Sequence, residues 1–300
     1  NWSTPGHRGE QIQWSGRTWY RKAFRLPESY RGKKVFIEFE GARQIAEVFL
    51  NGKRLGISKT GFTPFGFDLT PYLFYGQAAN VLAVMCDNRF MKDPLDEAAV
   101  AALGTATAGG KPASNPNLAQ LSAKVNEAIP DDLDQLAADQ IPWNNPHWHP
   151  AHGGIYRNVR LVVTDPLHIT LPLYSFLKSV GPYVYATDIT TQSAKVTVEV
   201  PVDNGRTTGP AQADLRVEVF DTGGRSALVL QAGARSIAAG GRVQFTVSGE
   251  LGRPRLWEPA YPHVYRVVCT LGVNGATVDT AEVPLGIRAI RWDAQAGLYL

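Results

Sequence analysis

The densest set of chemically useful side chains lies in Trp143-Asn144-Asn145-Pro146-His147-Trp148-His149-Pro150-Ala151-His152-Gly153-Gly154. It gathers three of the six histidines, two of the seven tryptophans and two amides. Aromatic faces cover C–H patches, while planar amides and imidazoles pair with hydroxyls, so the stretch suits a ligand that carries both, as a sugar does. The prolines and the glycine pair shape the backbone tightly, which holds such side chains in place. Two other readings stand beside this one. The tryptophans would also serve to seal an interface with a neighbouring domain. His147 and His149 would share one face of an extended strand with His152 nearby, giving three nitrogen ligands and the open position of a catalytic zinc site. The loop contains no cysteine or carboxylate, and Pro146 and Pro150 disturb the strand, so no metal and no other cofactor is expected. A second cluster, Asp87-Asn88-Arg89, ends a strand. Arg89 there either meets a ligand oxygen or pairs with Asp87, and Asp-Asn pairs at strand ends commonly make turns.

The elements that must hold these residues are strands. Val35, Ile37 and Phe39 alternate with Phe36, Glu38 and Glu40 at period two. Ala46–Leu50, Asn51-Gly52 and Lys53–Ile57 spell a hairpin, because Asn-Gly supplies the two positive φ angles of a type I′ turn. Strand signals return at Val81–Cys86 and Ile155–Val163, and the first half reads as an antiparallel β-sandwich. Between those two strands, from about 91 to 140, lies an insertion. Asn115 can cap a helix there with Pro116 at its first position, and Leu118, Leu121, Val125 and Ile129 recur at helical spacing.

Beyond Thr164-Asp165-Pro166 only short strands follow: Val196, Val198 and Val200; Leu215, Val217 and Val219; Val243, Phe245 and Val247; Tyr265, Val267, Cys269 and Leu271. Asp203-Asn204-Gly205 and Asn274-Gly275 mark turns between strands. About seven strands without a disulfide framework describe an immunoglobulin-like sandwich. The expected fold is therefore all-β: a sandwich with a helical insertion over 1–165, then an immunoglobulin-like β-sandwich over 166–290. Trp2, Trp14 and Trp19 read as core or interface residues, and Trp257 as packing within the second domain.

Composition narrows the partners. The 300 residues are 44% apolar and 19% charged, which excludes a disordered chain and supports two domains. Thirty basic against twenty-seven acidic side chains give a formal charge of only +3 with no basic stripe, so nucleic acid is not an expected partner. No apolar run approaches the roughly 18 residues that span a bilayer, so no membrane partner is expected. Cys86 and Cys269 fall on separate strands of separate domains. The compartment is left open, with a periplasmic or secreted location favoured over the cytoplasm. The first residue is Asn1, which suggests a piece of something longer.

Trp19-Tyr20-Arg21-Lys22-Ala23-Phe24-Arg25-Leu26-Pro27, Phe39-Glu40-Gly41-Ala42, Glu47-Val48-Phe49-Leu50-Asn51-Gly52, Gly61-Phe62-Thr63-Pro64-Phe65 and Phe67-Asp68-Leu69-Thr70 form an ordered series. It continues in Val84-Met85-Cys86-Asp87-Asn88-Arg89 and Gly153-Gly154-Ile155-Tyr156-Arg157-Asn158-Val159. This series resembles the amino-terminal sugar-binding jelly roll of the glycoside hydrolase family two enzymes, the β-galactosidases, β-glucuronidases and β-mannosidases. Leu256–Pro262 and Pro284–Arg288 look like that family's immunoglobulin-like domain and its exit. The resemblance implies a third domain, a (β/α)₈ barrel with two glutamates, whose lead-in would be 291–300, and no barrel is expected within these 300 residues. Asn126-Glu127 imitates the family's acid/base motif, but it sits in the expected insertion helix, and Glu127 reads as a solvated helix residue.

By the same resemblance, residues 144–152 look out over the barrel and help form the pocket for the substrate's non-reducing end, and Asp87-Asn88-Arg89 approaches it. Asn144, Asn145, His147, Trp148, His149, His152, Asp87, Asn88 and Arg89 are thus the candidate substrate-binding residues, and no catalytic residue is expected. Family members often place an acidic residue in this loop, and none occurs between Trp143 and Gly154. The expected role is that of the non-catalytic portion of a retaining, exo-acting β-glycosidase, with the second sandwich propping the first against the barrel. Its partners would be a glycoside or oligosaccharide substrate, the barrel of the same parent chain and, left open, a second copy. The alternative is a free-standing carbohydrate-binding or adhesion protein.

Overall fold

A computed structural model describes residues 16–89 and 153–299. They fall into two compact units. One holds the residues up to Arg31 and those from Ile37 to Leu161; the other holds Gly32–Phe36 and the residues from Val162 onward. The expected insertion helix over 115–129, Glu127 and the whole of 143–152 lie outside the described residues, as do Trp2 and Trp14.

The strands of the first part are β1 (Arg17–Phe24), β2 (Lys34–Phe39), β3 (Ala42–Arg43), β4 (Ile45–Leu50), β5 (Lys53–Ser58), β6 (Phe65–Asp68), β7 (Asn80–Asp87), β8 (Gly154–Ile155) and β9 (Val159–Thr164). They form a sheet ordered β1-β7-β4-β5, a second ordered β6-β2-β9 and a short β3-β8 ladder. Val48, Leu50, Val84 and Cys86 are buried from the first sheet, and Val35, Ile37, Phe39 and Phe65 from the second. The rings of Phe39 and Phe65 stack at 4.8 Å. The β4–β5 hairpin turns on Asn51 and Gly52, with φ of 50° and 79°, as the Asn-Gly pair predicts.

Phe36, which shares its face of β2 with Glu38 and Glu40, is also buried; its ring lies 5.4 Å from that of His168, within the second unit. One expectation needs correction. The long strand expected over 155–163 is broken into β8 and β9. Tyr156 leaves the ladder and donates its hydroxyl to the Gly61 carbonyl at 3.0 Å, while the Asn158 carbonyl accepts from the Glu40 amide.

In the second unit follow β10 (Leu167–Ile169), the single turn α1 (Tyr174–Leu177), β11 (Tyr183–Thr187), β12 (Ser193–Asn204), β13 (Ala211–Phe220), β14 (Ser226–Ile237), β15 (Arg242–Gly252), β16 (Tyr265–Val273), β17 (Ala276–Leu285), β18 (Arg291–Asp293) and β19 (Gly297–Tyr299). One sheet is built on β12, which pairs β10, β11 and β15; the other is ordered β14-β13-β16-β17. The alternating residues named from the sequence supply the core: Val196, Val198, Val200, Leu215, Val217, Val219, Phe245, Val267, Cys269 and Leu271 are all buried. This is the immunoglobulin-like sandwich. Trp257 packs within it, its amide donating to the Ile287 carbonyl and its ring carrying the Arg288 guanidinium at 4.8 Å.

Candidate functional site

The first sandwich has an edge where the end of β7 and the β3-β8 ladder meet. β7 is flanked on both sides at its last residue, Asp87 facing Arg17 of β1 and Ile45 of β4. Its carboxylate is fully buried and ion-paired twice, to Arg17 Nε at 3.1 Å and to the second guanidinium nitrogen of Arg89 at 2.8 Å. The Arg89 amide also donates to Asp87 Oδ1. A buried carboxylate is stable only when paired and hydrogen-bonded in this way.

Asn88 is buried too. Its Oδ1 accepts from the Gly16 amide at 3.0 Å, and its backbone N–H donates to the Gly16 carbonyl. The chain comes back to this point at Gly153, where a Cβ would lie 2.3 Å from Asn88 Nδ2. Gly154 adopts φ +98°, and a Cβ there would lie 2.1 Å from the Tyr20 hydroxyl. Only glycine fits such an approach at positive φ. Gly154 pairs with Arg43 across the β3-β8 ladder. The Arg43 guanidinium sits 4.9 Å over the Phe62 ring, and burial holds its pKa below the ordinary arginine value.

Asp87, Asn88 and Arg89 are therefore brought together, in unequal surroundings. Asp87 and Asn88 are buried, while the Arg89 side chain keeps 31% of its surface exposed. Arg17, Arg43, Phe62 and Tyr156 join them at this edge without having been singled out as site residues. Phe62 and Tyr156 stood only inside the Gly-Phe-Thr-Pro-Phe and Gly-Ile-Tyr-Arg motifs, and Arg17 carries no local signal, because its partner is seventy positions away. Asn144, Asn145, His147, Trp148, His149 and His152 lie outside the described residues. Retaining glycoside hydrolysis needs two carboxyl groups about 5 Å apart. Asp87, held by two guanidinium groups, is not free to serve as one of them.

Two family models match the chain: the sugar binding domain of glycosyl hydrolases family 2 over residues 8–96, and glycosyl hydrolases family 2 over residues 180–288. The chain belongs to glycosyl hydrolases family 2. The sugar-binding-domain match of this family 2 chain contains Asp87, Asn88 and Arg89. A β-glucuronidase of Formosa agariphila is 39% identical over 98% of the chain, which covers 26% of that protein. A β-galactosidase of Thermoanaerobacter pseudethanolicus is 25% identical over the whole chain, which covers 32% of it. The solved structure of a β-glucuronidase from glycoside hydrolase family 2 superposes with a TM-score of 0.76 at 38% identity, over 97% of this chain and 26% of that one. The family 2 chain thus spans about a quarter to a third of the relatives it matches.

Proposed function

We propose that this chain is the non-catalytic portion of a retaining, exo-acting β-glycosidase, and that the edge at Arg89 and Gly153 lends side chains to the sugar pocket of a barrel in the same parent protein. Arg89 and the loop residues Asn144, Asn145, His147, Trp148, His149 and His152 are the ligand contacts. Asp87 and Asn88 are positioning residues that hold Arg89 and the returning backbone. The observation that supports this reading is the fit of Gly153 against Asn88: it brings the end of the aromatic and histidine-rich loop beside Arg89 at one sheet edge. A periplasmic or secreted location belongs to the same proposal.

The test has two arms. The chain alone, incubated with chromogenic β-galactoside, β-glucuronide and β-mannoside, releases no chromophore above buffer. In an enzyme that joins the chain to a barrel, His147→Ala or Trp148→Ala lowers kcat/KM by about tenfold, equivalent to about 1.4 kcal/mol of transition-state contact, and leaves folding intact. Turnover by the chain alone overturns the non-catalytic assignment. Unchanged kinetics in both variants removes the loop from the pocket and favours a free-standing carbohydrate-binding protein.

A further inference from the structure

On the outer face of the β1-β7-β4-β5 sheet, Ile45, Met85 and Asp87 are buried, while Trp19 and Arg21 on the edge strand β1 are exposed. Val48 and Val84 point into the core, so the pleat turns their neighbours Phe49 and Ala83 outward. Register places Trp19 opposite Met85 and Arg21 opposite Ala83, with Phe49 on the other flank of Ala83. Trp19 and Arg21 therefore share the outer face with Phe49. The Trp19 and Phe49 rings lie 5.8 Å apart. Val81, Ala83 and Gly52 help line the hollow, and their small size leaves a cavity of about 400 Å³, inside the range of about 300–1,000 Å³ usual for small-molecule sites.

Two facts give the hollow a chemistry. Trp19 is 61% exposed and lies beside Phe49, so the two rings form one apolar patch rather than a single exposed side chain. Arg21 is the one charged residue of the lining. The nearby carboxylate of Glu47 is already ion-paired to Arg54, and Arg21 makes no ion pair among the described residues. An indole face without a cation would take any neutral sugar by its C–H patch. With an unanswered guanidinium two residues along the same strand face, the complementary ligand carries a carboxylate beside that patch.

We propose that Trp19, Phe49 and Arg21 form a second sugar platform on this face, which takes a uronic acid residue of an oligosaccharide. The indole covers the pyranose C–H face and Arg21 pairs with the carboxylate. The platform goes beyond the pocket role assigned to the Arg89 edge and does not depend on it.

The experiment is a titration of the ¹⁵N-labelled chain with methyl β-glucuronide and, separately, methyl β-glucoside, followed through the indole N–H signals. The Trp19 signal is assigned by its loss in Trp19→Ala. Saturable movement of that signal by the glucuronide, with the glucoside about tenfold weaker for want of one charge-assisted hydrogen bond, is the expected result. Arg21→Gln brings the glucuronide to the level of the glucoside, and it decides the matter even if Trp19→Ala does not fold. A Trp19 signal unmoved by both sugars, equal affinity for the two, or undiminished glucuronide binding in Arg21→Gln overturns the platform. Movement confined to other indoles also overturns it and leaves the pocket role of the Arg89 edge standing.

Discussion

The Arg89 side chain doubles back on Asp87, its Nε 3.0 Å from both carboxylate oxygens, while Arg17 approaches the same carboxylate from the neighbouring strand. Two guanidinium groups on one buried carboxylate make Asp87 the tie between β1, β7 and the start of the segment that follows.

Replacing Asp87 should therefore destabilise the first sandwich rather than remove a ligand contact. Asp87→Ala removes the buried carboxylate that both guanidinium groups meet. Breaking a buried pair costs about 3–5 kcal/mol, and because both arginines keep about a third of their surface in water, a loss of about 2–3 kcal/mol is expected. Arg89→Ala leaves the Arg17 pair in place and should lose about 1 kcal/mol or less. Urea unfolding of the three chains measures both. Equal losses would show that Arg17 does not compensate.

Gly154→Ala tests the returning strand. The residue sits at φ +98°, and the added Cβ meets the Tyr20 hydroxyl, so strain of about 1–3 kcal/mol is expected. Removing the clash with Tyr20→Ala in the same chain should recover only the steric part. If the double variant is as stable as Tyr20→Ala alone, the backbone strain is absent.

The two thiols give a pH dependence with a definite sign. Burial pushes both Cys86 and Cys269 up to about 12, so the folded chain keeps its thiol protons where the unfolded chain, with ordinary thiols near 8.5, has lost them. The stabilising contribution is present below the unfolded value and disappears as pH rises from about 9 toward 12, by about 1.4 kcal/mol per pH unit for each thiol. Urea midpoints between pH 8 and 10 should fall less steeply in Cys86→Ala/Cys269→Ala than in the parent chain. At pH 8 an aromatic disulfide reagent should leave both thiols intact in the folded chain and titrate two in urea.

The strands were legible wherever one face is buried and the other wet. Val196, Val198 and Val200 alternate because every second residue enters a core. The pattern misleads where a second surface arrives. Phe36 shares a face with two glutamates yet is buried, because local alternation cannot foresee the ring of His168. Tyr156 breaks its strand by docking on Gly41, where a Cβ would lie 2.6 Å from the Tyr156 ring, a contact between segments far apart in the chain. At the site, the turn made by Asp87 and Arg89 is visible in the sequence because it is local. The Arg17 partner and the outward face of Trp19 are not, since sheet register decides them and a single strand does not carry it.

The fit of Gly153 against Asn88 also bears on how such a protein can change. The polypeptide departs after Arg89 and returns at Gly153, so close to Asn88 that a Cβ there would lie 2.3 Å from its Nδ2, and the two ends therefore lie side by side. The stretch between them is thus a cassette with fixed terminals. Once the ends of a loop are held, each doubling of its length costs only about 0.6 kcal/mol of chain entropy. Descendants of one ancestral sandwich can therefore exchange this cassette for others of different length and lining without redesigning the strands, and a protein engineer can do the same by cutting between Arg89 and Gly153.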